Sequence, residues 1–487
     1  TRSNHPENSG GKKDPGDIWF ARMEGSQWSA PLHAGAQLND RAYNAVAGFS
    51  SDGQQLFLQS HYGSSGNLAK TQGISVSKIS GSEWSRPENI IIPYFLNKSG
   101  MSCGAVSSDN SVFIFSAESY GTFGVDDIYV SVREGGTWSE PKNLGSSINT
   151  QFQELSPSLS ADKKTLYFSS NGRKGQGSFD IYAATRLDES WTNWSPPVNL
   201  GPSINSEGRE LYFRADEARG FSIYTTTKSS DGYGDIKVFT SDDPVIPIKD
   251  TVVYASLDRE TRLGEATVPL VVPDEETVKK KESVIPGAVK VFGKILNAKT
   301  GESIPARISF ESPGMATQSF TAGENGYTMT VPGSQYVIRI QAGGYISNME
   351  KLDIDAADMR ELEMNFRLQP VEIGATVNLK NVLFVQTKTD ILPESFGELD
   401  LVVSFLKENA KVKIELMGHT DGRGIHSDNV KLSRERVNRV KQYLVSKGID
   451  PTRISGKGFG GSKPIASNDT EESRKMNRRV EFVIKKF

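Results

Sequence analysis

The chain has 487 residues, 36% of them hydrophobic and 24% charged, with a formal net charge of −3 and a pI near 6.1. At ~100–200 residues per domain this length suits about three domains, and no run reaches the ~18–20 apolar residues of a membrane-spanning helix. The near-neutral balance argues against a nucleic-acid binder working through a diffuse basic field. The one cysteine, Cys103, allows no intrachain disulfide and reads as a small core residue of a strand. The opening residues, TRSNHPENSGGKKDPGD, lack the apolar core of a secretion signal. Any leader or lipid anchor upstream is expected to lie outside this sequence.

The first half is repetitive. WSAP, WSRP, WSEP and WSPP begin at Trp28, Trp84, Trp138 and Trp194, a period of roughly 55 residues. DIWF, DIYV, DIYA and DIKV begin at Asp17, Asp127, Asp180 and Asp235, and NLGSSINTQFQE at 143–154 recurs as NLGPSINSEGRE at 199–210. Between these markers, segments such as LSADKKTLYFSS read as strand, tight turn and strand. About four short strands per unit at a fixed period is the pattern of a β-propeller, whose blades bury their faces against one another. These lines resemble WD40-like propeller repeats, and residues 1–240 are read as five or six blades, the first incomplete. The tryptophans are expected to pack between blades, with the following Ser and Pro shaping an exit turn. The Asp before each Ile is expected to cap a turn through backbone amides rather than to hold a metal.

Residues 241–287 lose the repeat and read as a linker or strap, with the lysines at 279–281 a solvated run. From 288 to 370, alternating strands are separated by turns such as NAKTGE and GENG, the pattern of a compact β-sandwich. GKILNAKTGESIPA at 293–306 and ENGYTMTVP at 324–332 resemble the carboxypeptidase-regulatory-like sandwich. No HExxH set accompanies it, so the resemblance implies a spacer or contact module and no peptidase.

Residues 371–487 alternate strand and helix periods, implying an α/β sandwich with one mixed sheet. PESFGELDLVVSFLKEN predicts a helix burying Leu399, Val402, Val403 and Leu406. VKIELMGHT predicts a strand, followed by a helix from about Asp428 that Gly448 terminates. A short strand near RISGKGF, a helical turn in DTEESRKMN and a last strand in RRVEFVIKK complete the unit. GKGFGG at 456–461 matches a dinucleotide fingerprint in letters only, because Pro464 and no helical period follow it; a turn and bulge is the expected reading. His419 reads as structural.

GHTDGRG, NVKLSRERVNRVKQYL, ISGKGFGGSKPIASN and RKMNRRVEF resemble, in order and spacing, the C-terminal peptidoglycan-binding domain of the outer-membrane protein A family. The resemblance implies that Asp421 and Arg436 hold the diaminopimelate of the cell-wall stem peptide, with Asn429, Thr420, Leu432 and Arg479 lining the pocket. Val437 stands where the family has a small residue. The assignment is chemically coherent: the ligand offers an ammonium to an acid and a carboxylate to the planar fork of an arginine. The competing reading of Asp421 and Arg436 is a structural ion pair.

The module order resembles periplasmic envelope proteins such as the PorE-type component of type IX secretion. The expected function is a non-enzymatic periplasmic tether at the outer membrane, without cofactor or metal, binding peptidoglycan at one end and envelope or secretion proteins at the other. The alternative is a propeller-based hydrolase, or a glycan- or peptide-binding protein of the periplasm.

Overall fold

The computed structural model describes residues 16–24, 27–40, 43–63, 69, 71–81, 83–99, 103–229, 234–240, 288–354, 361–379, 382–384 and 388–487. The expected linker at 241–287 and the opening residues lie outside these. Among the described residues the molecule is rich in β-sheet, and its few helices lie in the C-terminal region.

Up to residue 240 the chain forms successive antiparallel sheets, each built from strands consecutive in sequence. The first full one orders Val46–Phe49, Gln55–Leu58, Ile74–Ser80 and Glu83–Trp84. The next runs Cys103–Val106, Val112–Ala117, Asp127–Glu134 and Thr137–Trp138, the third Glu154–Leu159, Thr165–Ser170, Asp180–Thr185 and Val198–Asn199. The last contains Glu210–Asp216, Phe221–Thr226 and Asp235–Thr240. Before them stand two short pairs, Trp19–Phe20 with Leu32–His33 and Met23–Glu24 with Gln27–Trp28, matching only the later strands of a unit.

The repeated residues link these sheets. Trp138 is buried in a cluster joining Phe57 and Ile74 of one sheet to Phe113 and Phe115 of the next, and Trp194 joins Val112 and Ile114 to Leu166 and Phe168. Trp84 packs partly buried against Leu38, Leu56 and Leu58; nothing is described of the Trp28 side chain. The serine after each tryptophan bonds the preceding strand in both directions: Ser139 N donates to the Val132 carbonyl at 2.8 Å and Ser139 Oγ accepts from Val132 N at 3.0 Å. Two of the repeated aspartates, Asp127 and Asp180, cap turns. Asp180 accepts from Gln176 N at 2.6 Å, Gly177 N at 3.1 Å and Asn199 Nδ2 at 2.9 Å, and Asp127 repeats the pattern with Phe123, Gly124 and Asn143.

A second acid recurs at the start of an inner strand. Glu154, fully buried, accepts from Thr150 N, Thr150 Oγ1 and Ser170 Oγ, each at 2.8 Å. Glu210 does the same with Ser206 and Thr226. Burial raises the Glu154 carboxyl from 4.5 to about 7.

Residues 288–370 place Tyr327–Pro332, Ala288–Gly293 and Glu361–Glu363 in one sheet, and Gln318–Ala322, Ala306–Glu311, Ser334–Gln341 and Asn348–Ile354 in another. Alternate residues of both sheets, among them Val289, Val291, Val331, Ile308, Phe310, Ile338 and Ile340, share one apolar core, as period-two strands with one buried face require. Phe152 of the repeat region enters that core. Asn171 Nδ2 donates to the Glu363 carbonyl at 2.8 Å, and Arg209 pairs with the Glu363 carboxylate at 3.3 Å.

In the C-terminal region, strands and helices are labelled β1 (Thr376–Leu379), α1 (Phe396–Glu408), β2 (Lys413–His419), α2 (His426–Ser446), β3 (Ile454–Gly460), α3 (Glu471–Asn477) and β4 (Val480–Lys486). The sheet order is β1-β4-β2-β3; β2 and β3 are parallel and the other pairs antiparallel. Helix α1 buries Leu399, Val402, Val403 and Leu406 against the sheet, and α2 adds Val437, Val440 and Leu444 to the same core. Helix α2 starts two residues earlier than the sequence suggested. It stops before Gly448, which adopts a φ of +91°. Ile346 of the preceding region also belongs to this core, and Gln341 Nε2 donates to Glu408 at 3.2 Å.

The expected turn at GKGFGG is largely strand, with a bulge where β3 passes Gly418 and His419 of β2. Its glycines serve close packing. A Cβ at Gly456 would stand 2.4 Å from Val437 Cγ1, and one at Gly458 would stand 2.5 Å from the Arg434 backbone nitrogen.

Glu154 yields a stability prediction. Its folded pKa lies above the unfolded value, so its contribution is full below about 4.5 and is lost as pH rises through about 7. Glu154→Gln, which can still accept from Thr150 N and donate to the hydroxyls, is expected to melt close to the native chain and to flatten this part of its pH dependence. Glu154→Ala should lose ~1–3 kcal/mol. Calorimetric melting from pH 5 to 8 tests both.

Candidate functional site

The loop leaving β2 carries Asp421, and the inner face of α2 carries Arg436. The loop is held in shape by side chains that accept from its backbone amides. Asp421 Oδ1 accepts from Arg423 N at 3.1 Å, and Gly422 N donates to Asn468 Oδ1 at 2.8 Å. Asn468 belongs to the 463–470 segment, which Asn477 organises: its Oδ1 accepts from Ile465 N and Ala466 N, and its Nδ2 donates to the Ala466 carbonyl. Helix α3 opens there with a capping box between Thr470 and Ser473.

Arg436 is 6% exposed. Its Nε donates to the Lys388 carbonyl at 3.0 Å and its guanidinium carbon lies 4.9 Å from the centre of the Phe384 ring. Burial, then repulsion from Arg478, lowers its pKa, and Asp421 opposes that shift. Among the described residues the two terminal nitrogens of Arg436 have no hydrogen-bond partner. They do not pair with Asp421, whose Oδ2 accepts from Arg478 Nη1 at 2.8 Å. A cation taken out of water with two donor groups open is matched by a planar anion such as a carboxylate.

The remaining residues divide into two groups. Thr420 is buried and ties down the loop, its N donating to the Gly460 carbonyl at 3.0 Å and its Oγ1 to the Asp421 carbonyl at 2.9 Å. Asn429 Nδ2 donates to the Arg423 carbonyl at 2.6 Å, so this amide also supports the Asp421 loop, and Leu432 is half-buried on α2. Arg479 turns away. It pairs with the buried Glu481, Nε to Oε1 at 2.5 Å, and donates to the Lys463 carbonyl.

Arg478, which the sequence reading did not single out, is the arginine on Asp421. It also binds Glu471 at 2.7 Å, and Glu471 in turn pairs with Arg423 and Arg474. His419 is buried and stacks on Phe459 at 5.4 Å. Burial, with Arg479 and Lys463 nearby, lowers its pKa to about 3, leaving it neutral at ordinary pH.

Residues 383–478 match the OmpA family, so the C-terminal region contains an OmpA family domain. Outer membrane protein A of Bordetella avium is 43% identical over 121 residues, 24% of this chain and 62% of that protein. Peptidoglycan-binding protein ArfA of Mycobacterium bovis is 35% identical over 103 residues, 21% of this chain and 32% of that protein. The chain therefore spans less than two thirds of either relative. Among solved structures, the peptidoglycan-associated lipoprotein from Burkholderia pseudomallei is 26% identical with a TM-score of 0.21, covering 21% of this chain and 88% of that one.

The two neighbouring arginines should separate on substitution. Arg479→Ala strands Glu481 in the interior and is expected to cost ~3–5 kcal/mol. Arg478→Ala opens a more exposed pair and should cost ~0–1 kcal/mol. Hydrogen exchange along β4 reads the difference; tryptophan fluorescence does not, because all six tryptophans lie at or before Trp194.

Proposed function

We propose that this chain is a non-enzymatic envelope tether whose C-terminal region binds the diaminopimelate stem peptide of peptidoglycan. The observation that carries this reading is the buried Arg436 guanidinium, with its terminal nitrogens open and the Asp421 carboxylate close enough to offset part of its desolvation. Arg436 takes the carboxylate of the diaminopimelate centre and Asp421 takes its ammonium, retaining lone pairs beyond those used by Arg423 and Arg478. Thr420 and Asn429 fix the acid's loop, and Leu432 contributes apolar surface at the rim. Arg479 acts from behind, holding the start of β4. The OmpA family match over 383–478 and the similarity to a peptidoglycan-binding protein support the ligand class.

In this reading residues 1–240 are the blades of a WD40-like propeller. The consecutive sheets of three to five strands and the tryptophans shared between neighbours support it. Residues 288–370 are a carboxypeptidase-regulatory-like sandwich, a reading supported by three sheets that share one core. Together they present a surface to envelope or secretion proteins in the periplasm, a role resembling the PorE-type component of type IX secretion.

Co-sedimentation of the full chain with diaminopimelate-containing sacculi tests the site. The native chain is expected to pellet. Asp421→Ala and Arg436→Ala should each lose ~2–5 kcal/mol of binding, a factor of roughly 30 or more in retention. Arg436→Lys, which keeps the charge but not the fork, should fall between. Retention at the native level by both folded alanine variants would sink the assignment.

A further inference from the structure

The repeat region reaches the candidate site through one carboxylate. Glu140 follows the third tryptophan marker, in WSEP, and is half-buried. Its Oε2 accepts from Ser467 N at 2.8 Å and its Oε1 accepts from Ser467 Oγ at 2.5 Å, a two-point grip across 327 residues of sequence. The next residue, Asn468, holds Gly422 N at 2.8 Å, and Gly422 directly follows Asp421. Asn468 is also tied to Arg474, whose Nη1 donates to its carbonyl at 2.6 Å, and to Asn477 Nδ2 at 3.2 Å. The dock has further contacts: the Arg479 guanidinium lies 6.0 Å from the Tyr120 ring centre, and a Cβ on Gly121 would stand 3.2 Å from Met476 Sδ.

From this chain of contacts we infer that Glu140 is a positioning residue for the Asp421 loop, so that docking of the repeat region and occupation of the ligand site are coupled. The inference rests on the reading of that site as a diaminopimelate site. The physical reason is that Ser467 N–H and O–H face a charged acceptor, and charge-assisted bonds hold geometry better than neutral ones. With Glu140 in place, Ser467 and Asn468 are fixed, Gly422 N keeps its acceptor, and Asp421 faces Arg436 in one arrangement. Without it, the 463–470 segment keeps Asn477, Arg474, Arg479 and the α3 cap, none of which bonds Ser467 through a carboxylate. Coupling of this kind is reciprocal: ligand that favours the ordered loop also favours the docked repeat region.

The test uses the full chain, a soluble diaminopimelate-containing muropeptide and two readouts. Glu140→Ala is expected to weaken muropeptide binding about five- to tenfold, at the lower end of ordinary coupling between sites, and to speed hydrogen exchange at the Gly422 amide, which Glu140 does not touch. Glu140→Gln, which retains one acceptor oxygen, should restore much of both. Tyr120→Ala serves as a comparison that alters the dock without removing the Ser467 grip. Binding within twofold of native in Glu140→Ala, with unchanged exchange at Gly422, would overturn the inference. If the native chain itself ignores the muropeptide, the ligand reading fails instead, and exchange at Gly422 still decides whether Glu140 positions the loop.

Discussion

Helix α2 lies on bare backbone. Gly418 in β2 and Gly456, Gly458 and Gly460 in β3 leave a strip without side chains, and the helix settles into it closely enough that a Cβ at Gly418 would meet the Ser433 carbonyl at 2.4 Å. Val437 fills the slot between Gly418 and Gly456 and is fully buried there. The bulk of valine at this position is thus accommodated by the strand glycines. Because Val437 is locked, the preceding residue has little freedom, and Arg436 is held with its guanidinium over Phe384. Every later property of the site follows from that fixed cation.

A buried arginine is costly unless something answers its charge. Here one backbone carbonyl and an aromatic face answer part of it, and Asp421 contributes across a gap rather than through a direct pair. The acid is meanwhile kept in place by Arg478 and by the loop amides. Carboxylate and guanidinium are thereby held apart, as the proposed zwitterionic ligand would require. Had the two collapsed into a salt bridge, each would have satisfied the other.

Much of this region was legible from residue spacing. The apolar positions of α1, the alternation in β2 and β4 and the stop at Gly448 follow from periods and a positive φ that only local geometry sets. The rejection of GKGFGG as a nucleotide loop also stands, although its glycines proved to be a bed for α2 more than a turn. The pair Arg478 and Arg479 was harder. Adjacent residues entering a strand point to opposite faces, and which of them meets Asp421 depends on the register that sets Val480 opposite Gly418. Nothing in a local window carries that register. Glu140 and Ser467 are more distant still, and no periodicity connects them.

The three described regions touch pairwise. The repeat region meets the middle one through Phe152, Asn171 and Arg209, the middle one meets the last through Ile346 and Gln341, and the last returns to the first through Ser467 and Glu140. Contacts arranged in a closed triangle behave unlike contacts in a line. Tension between the first region and the last divides over two parallel routes, so the failure of one leaves the ends joined by the other. A molecule strung between a rigid wall and a moving partner would give way in steps, and could re-form its first broken contact while the second still bore the load.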